Sequence, residues 1–92
     1  MDTRVFVQPV NVEVDLDRRL RRGDALIVEV RDAARDGELV VAECGGGVGV
    51  GRYAAAEPEI LLYPLDSGWA PARVPRAGLR LRGVVIGMRS AL

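Results

Sequence analysis

The 92-residue chain carries 13 basic and 13 acidic side chains, and every basic one is arginine. With no lysine and no histidine, it excludes a Ser-His-Asp or Cys-His arrangement, a Ser-Lys dyad, a Schiff-base or Walker lysine, and any histidine-containing zinc site. Its 49% hydrophobic content excludes disorder, and its net charge of zero removes the broad positive field behind nonspecific nucleic-acid binding.

Residues 1–92 suit a single domain, because two halves would each bury too little core. Val10, Val12, Val14 and Leu16 alternate with Asn11, Glu13, Asp15 and Asp17. That period of two predicts a half-buried strand, with Pro9 near its start. The stretch DLDRRLRRGD, residues 15–24, predicts one helical turn broken at Gly23-Asp24. Its cluster Arg18, Arg19, Arg21 and Arg22 reads as a solvated face offset by Asp15, Asp17 and Asp24. A phosphate or acidic-peptide contact is the alternative for the cluster.

Ala25 to Val30 is the next predicted strand, followed by a loop ending in an Asp36-Gly37 turn. Glu38 to Cys44 and Val48 to Tyr53 read as a hairpin turning on Gly45–Gly47. GGGVGVG lacks the GxGxxG spacing and precedes no helix pattern, so a phosphate cradle is set aside. Gly49 and Gly51 lie on one side of their strand and leave a slot. Trp69 or Tyr63 is the expected filling, with a foreign peptide the alternative. Tyr53 reads as an ordinary strand residue.

Ile60 to Tyr63 is a short strand, and residues 64–75 read as an irregular loop with Pro64, Pro71 and Pro75. Leu79 to Met88 is the last strand, with Gly83 and Gly87 as bulges or points of close approach. Together these predict an all-β, barrel-like or sandwich domain of about six or seven short strands.

Lone Cys44 forms no internal disulfide, fits a cytoplasmic setting and reads as a small strand residue. Ser67, a turn residue, and Ser90, near the chain end, have no base to activate them. Trp69 packs on its own domain or, if exposed, anchors an interface. No run approaches the ~20 apolar residues of a membrane-spanning helix.

Gly23-Asp24 followed by ALIVEV, then ARDGELVVAE, then the proline-containing loop leading to LRGVVIGMR, resemble in order and spacing the C-terminal domain of the LexA and phage-repressor family, the S24 peptidases. Phe6 and Val10 fall where that family's first strand is apolar. The resemblance runs from about Phe6 to Arg89, and signal peptidases, which share the general fold, match less well.

The resemblance implies self-cleavage by a serine that a neutral lysine deprotonates. Counting back from Gly23 places the serine position on Val14, and counting along VGVGRY places the lysine position on Gly51. Both functional residues are missing. No helix-turn-helix is read in residues 1–92, so the resemblance implies no operator contact from this chain.

The expectation is therefore a catalytically inactive S24-like domain. It serves dimerisation or protein interaction in a repressor-type transcription regulator of the cytoplasm. By resemblance, the candidate interface is the C-terminal strand, Val84, Val85, Ile86 and Met88, with Trp69. The partner is a second copy or another protein. The alternative is a pseudopeptidase holding a partner protein or extended peptide in a vestigial cleft at Val14 and Gly51. No cofactor, metal, small-molecule ligand, nucleic acid or membrane is expected. An enzyme using Asp15, Asp17 or Asp24 ranks below these readings.

Overall fold

Short β-rich runs separated by glycine and proline give nine strands and no α-helix among the described residues, 4–66 and 69–91 of a computed structural model. The strands are β1 (Val5–Pro9), β2 (Val14–Leu16), β3 (Arg18–Leu20), β4 (Ala25–Glu29), β5 (Leu39–Cys44), β6 (Gly47–Arg52), β7 (Glu59–Pro64), β8 (Ala72–Pro75) and β9 (Arg80–Arg89). A single 3-10 turn spans Arg76–Gly78. Seven strands form one sheet in the order β1-β4-β9-β5-β6-β7-β8, and β2 pairs with β3 in a separate ribbon. All pairings are antiparallel. The all-β expectation stands, with more strands than the six or seven read from the pattern.

The helical turn expected in DLDRRLRRGD is replaced by the β2–β3 hairpin. Leu16 pairs with Arg18, so Asp17 alone makes the bend, at φ 50°. Leu16 and Leu20 share a face in a helix, and they share one in this hairpin too. Spacing alone could not separate the two. The strand expected from Val10 to Leu16 forms a ladder only at its end. Its alternation of buried and exposed residues persists throughout, but Val10 to Glu13 cross between strands. Pro9 ends β1 rather than opening the next strand.

The Gly45-Gly46 turn, at φ 53° and 87°, joins β5 to β6 with Cys44 opposite Gly47. This is the two-residue hairpin that consecutive positive-φ glycines allow.

The last strand, β9, lies in the middle of the sheet, between β4 and β5. Its register slips twice. Against β5, Val41 faces Gly83 and Ala42 faces Leu81, which leaves Arg82 as an extra residue. Against β4, Val28 faces Val85 and Ile27 faces Gly87, which leaves Ile86 extra. Each extra residue precedes a glycine, and bulges bend a strand at such points. At Gly83 the approach is extreme: an added Cβ would lie 2.2 Å from the Glu29 carbonyl oxygen.

The sheet buries apolar residues on both faces. On one face Val10, Val14, Leu20, Leu26, Val28, Val41, Val50 and Leu65 form the larger cluster, capped by the β2–β3 hairpin. On the other, Ala42, Ile60 and Leu62 pack with Trp69, Tyr53, Val74 and Leu79. With one phenylalanine in the chain, aliphatic side chains carry nearly all of this packing.

Candidate functional site

The β2–β3 hairpin stands over the sheet and leaves a groove of about 500 Å³. Its hairpin wall is Leu16, Asp17, Arg18 and Leu20, its floor includes Leu26, Leu39 and Val50, and its far wall is Val85 to Met88 of β9. Past Val84, β9 pairs with β4 alone, so Ile86 to Arg89 have no ladder partner on the groove side among the described residues. Asp17 at the hairpin tip is ion-paired with Arg52 of β6, which bridges hairpin and sheet at one end of the groove.

Val14, at the expected serine position, is 3% exposed and packs in the larger cluster with Leu20. Gly51 is fully enclosed by β7. A Cβ there would meet the Leu61 carbonyl oxygen at 2.3 Å and Leu62 Cδ2 at 2.9 Å. Alternation along β6 turns Val48, Val50 and Arg52 toward the larger cluster and groove, and turns Gly47, Gly49 and Gly51 toward the smaller cluster. The structure therefore does not bring the two positions into one cleft. Val50, which the sequence reading passed over, is the β6 residue that packs with Val14. Val50 stands opposite Val41 of β5, which shares that cluster, so tertiary packing sets the face and no local pattern encodes it.

Whereas Gly51 of the expected slot is covered by Leu61 and Leu62, Trp69, one of the two expected candidates, covers Gly49 together with Gly47. Its Nε1 lies 2.5 Å from a Cβ placed on Gly47, and its Cη2 lies 2.8 Å from one on Gly49. Any side chain at either position would collide with the indole. Trp69 Nε1 and Asp66 Oδ1 are both buried without a hydrogen-bond partner among the described residues. Ser67, beside them in sequence, lies outside the described residues.

The candidate interface on the C-terminal strand divides. Val84 is 3% exposed and pairs with both Glu29 and Val40, so it belongs to the interior. Val85 and Met88 pack on the larger cluster, and Ile86, the bulge residue, is 53% exposed. β9 lies between β4 and β5, so it is not an outer edge of the sheet, and among the described residues it is open only past Val84 on the groove side. Only Ile86 offers a large apolar surface.

The arginine cluster faces solvent on and after β3. Arg19 Nε lies 2.9 Å from Glu13 and stands opposite Asp15, so part of the balance comes from a residue not counted in the sequence reading. Asp17 serves Arg52 instead. Asp24, 6% exposed, accepts the backbone N–H of Arg21 at 2.9 Å and that of Ala91 at 2.9 Å. These two hydrogen bonds hold its carboxyl below the usual aspartate range, Arg21 contributing most.

No group of three or more histidine, cysteine, aspartate or glutamate side chains is placed to hold a metal among the described residues. No helix among them is long and apolar enough to cross a membrane.

A bulged, antiparallel sheet with a hairpin standing over one face, next to an open length of its last strand, is the architecture of a small all-β peptidase-like domain. Residues 13–86 match the family described as Peptidase S24-like. The chain is 35% identical over 85 residues to the LexA repressor of Koribacter versatilis (strain Ellin345), covering 91% of this chain and 40% of that protein. It is 30% identical over 95 residues to the LexA repressor of Magnetococcus marinus (strain ATCC BAA-1437 / JCM 17883 / MC-1), covering 97% of this chain and 41% of that protein. The chain belongs to the Peptidase S24-like family. It spans about 40% of the length of these two relatives.

Proposed function

We propose that this domain is a catalytically silent S24-like module that mediates self-association in a repressor-type transcription regulator of the cytoplasm. The observation that supports silence is that neither counted position can serve: Val14 is sealed in the core, Gly51 has no room for a side chain, and the two face different clusters. The absence of lysine and histidine from the whole chain supports it independently. The relatives, both repressors by name, support the regulatory setting. Exposed Val5, Val7, Val30 and Ile86 on a domain of zero net charge support association with another surface. Incubation of the purified chain at alkaline pH followed by intact-mass spectrometry is the test of silence. An undiminished parent mass is expected, and a pair of fragments summing to it would overturn the reading. Light scattering over a concentration range tests association, with a mass rising toward that of a dimer expected.

The groove favours a second reading, in which an extended peptide adds as a strand along Ile86 to Arg89 without being cut. Gly51 lies off this groove, so the informative variant is Leu16→Trp, which fills it from the hairpin side. Under this reading, titration with extended apolar peptides gives binding that Leu16→Trp abolishes while circular dichroism stays unchanged.

A further inference from the structure

The large sheet ends in β8 on one side and β1 on the other. Along an antiparallel edge strand, residues alternate between those whose N–H and C=O bond the neighbour and those whose backbone groups point away. For β8, the bond from Arg76 N–H to the Pro58 carbonyl, at 2.8 Å, fixes which set is which. With Ile60 opposite Val74 and Leu61 opposite Arg73, the outward set is Pro71, Arg73 and Pro75. Both prolines lack an N–H, and Arg73 carries an exposed charge. Proline and charge are the devices that stop an edge from pairing.

The β1 edge has the opposite character. Val30 N–H bonds the Arg4 carbonyl at 2.8 Å and Val10 N–H bonds the Asp24 carbonyl at 2.9 Å. With Phe6 opposite Val28 and Gln8 opposite Leu26, the residues Arg4, Phe6, Gln8 and Val10 bond inward to β4. Val5, Val7 and Pro9 point outward. Val5 and Val7 keep their N–H groups, and their side chains are 48% and 50% exposed. No charge interrupts Val5–Pro9. Among the described residues, one edge of the sheet is thus closed by proline and charge and the other is an apolar pairing template.

We propose that β1 is a self-recognition edge, to which a second copy of this chain adds its own β1 antiparallel about a two-fold axis at Phe6. In that register Val5 stands opposite the partner's Val7, and Val7 opposite the partner's Val5. Every outward N–H and C=O of these two residues is then satisfied. Arg4 faces the partner's Gln8, so no like charges meet. The competing register, centred on Val7, sets Val5 against the partner's Pro9, which has no N–H to return. The outward valine side chains of both copies join on the outer face, continuous with Ile27, the cross-strand neighbour of Val7. A strand pair alone buries less than the ~1,600 Å² of a standard stable complex, so the dimer depends on concentration. This proposal names the surface for the self-association reading and is separate from the β9 surface at Ile86.

The test is sedimentation equilibrium of the whole chain over a wide concentration range. Val7→Pro removes an outward N–H and leaves the bonds to β4 intact. It is expected to weaken dimerisation about tenfold, through the hydrogen bonds lost at the two symmetry-related sites. Val7→Thr keeps the N–H and the strand propensity, and its association stays near that of the parent chain. Should Val7→Pro misfold, Val7→Lys places like charges across the axis and must weaken association in its stead. A folded Val7→Pro or Val7→Lys that dimerises like the parent overturns the β1 proposal. Dimerisation lost only in Ile86→Asp moves the interface to β9 and keeps the self-association reading. A parent chain that stays monomeric throughout overturns both.

Discussion

Asp24 and Ala91, 67 residues apart in the chain, are joined by a 2.9 Å hydrogen bond from the Ala91 N–H to one carboxylate oxygen. The other oxygen accepts the Arg21 N–H, also at 2.9 Å. One side chain thus closes the turn after β3 and fastens the end of the chain beneath it. A Cβ on Gly23 would lie 3.2 Å from that of Ala91, so this tail sits directly against the turn.

Because the carboxyl of Asp24 is held below its ordinary value, it stabilises the fold wherever the unfolded chain's aspartate is ionised. That contribution is complete above the unfolded value, roughly pH 4, and fades as pH falls through the lower folded value. Asp24→Asn is expected to melt at a lower temperature at neutral pH, and to lose less than the parent chain on acidification. Thermal melts between pH 7 and pH 2 check both, and parallel acid limbs for the two proteins would contradict the assignment.

Gly51 has no room even for a methyl group, since the contact at 2.3 Å is with a carbonyl oxygen in the backbone of β7. Gly51→Ala is expected to cost at least the ~1–3 kcal/mol typical of overpacking. Val14→Ser with Gly51→Lys puts serine and lysine at the two counted positions, which face different clusters, and is expected to unfold the domain rather than cut it. Urea titration of the single variant and intact-mass analysis of the double variant measure the two outcomes.

Trp69→Ala uncovers Gly47 and Gly49 and leaves a void above β6. The indole is only partly buried, so the loss is expected to fall somewhat below the ~3–5 kcal/mol of a core aromatic truncation. Trp69→Phe keeps most of the cover and removes an Nε1 that has no partner among the described residues, so it costs less. Chemical denaturation of the pair, followed by circular dichroism, ranks them.

Asp17 bends the β2–β3 hairpin at φ 50°, where a β-branched side chain is strained. Asp17→Val is expected to cost about 1–2 kcal/mol from the backbone alone. The ion pair with Arg52 adds little, since both side chains are about half exposed and such pairs are worth ~0–1 kcal/mol. Arg52→Ala, which removes the pair and the 2.7 Å bond from Arg52 Nη1 to the Gly37 carbonyl without touching the bend, sets an upper bound on the pair's share in urea titrations.

The strands most legible in the sequence are those whose apolar runs face a core directly. The Val-rich β4, β5 and β9 and the glycine turn into β6 all appear where the pattern puts them. The bulges beside Gly83 and Gly87 were also readable, because glycine within a strand has few other uses. β1 and β8 were not. Both are short edge strands broken by proline, and their pairing is supplied by β4 and β7 rather than by their own propensity. The same limit applies to the site. Counting along the chain lands on Val14 and Gly51, but alternation cannot say which face of β6 meets the hairpin. Tertiary packing decides that, and it gives the place beside Val14 to Val50.

Trp69, the chain's sole tryptophan, rests on the smaller cluster, away from β1 and the hairpin. Fluorescence excited selectively at tryptophan therefore observes one side of this sheet, whereas Tyr63 lies on the other. A molecule that has peeled off β1 or lifted its hairpin keeps the emission of the intact domain. Fluorescence and far-ultraviolet circular dichroism will coincide during unfolding only if both faces come apart together. Comparing those two transitions measures whether the sheet transmits cooperativity from one core to the other.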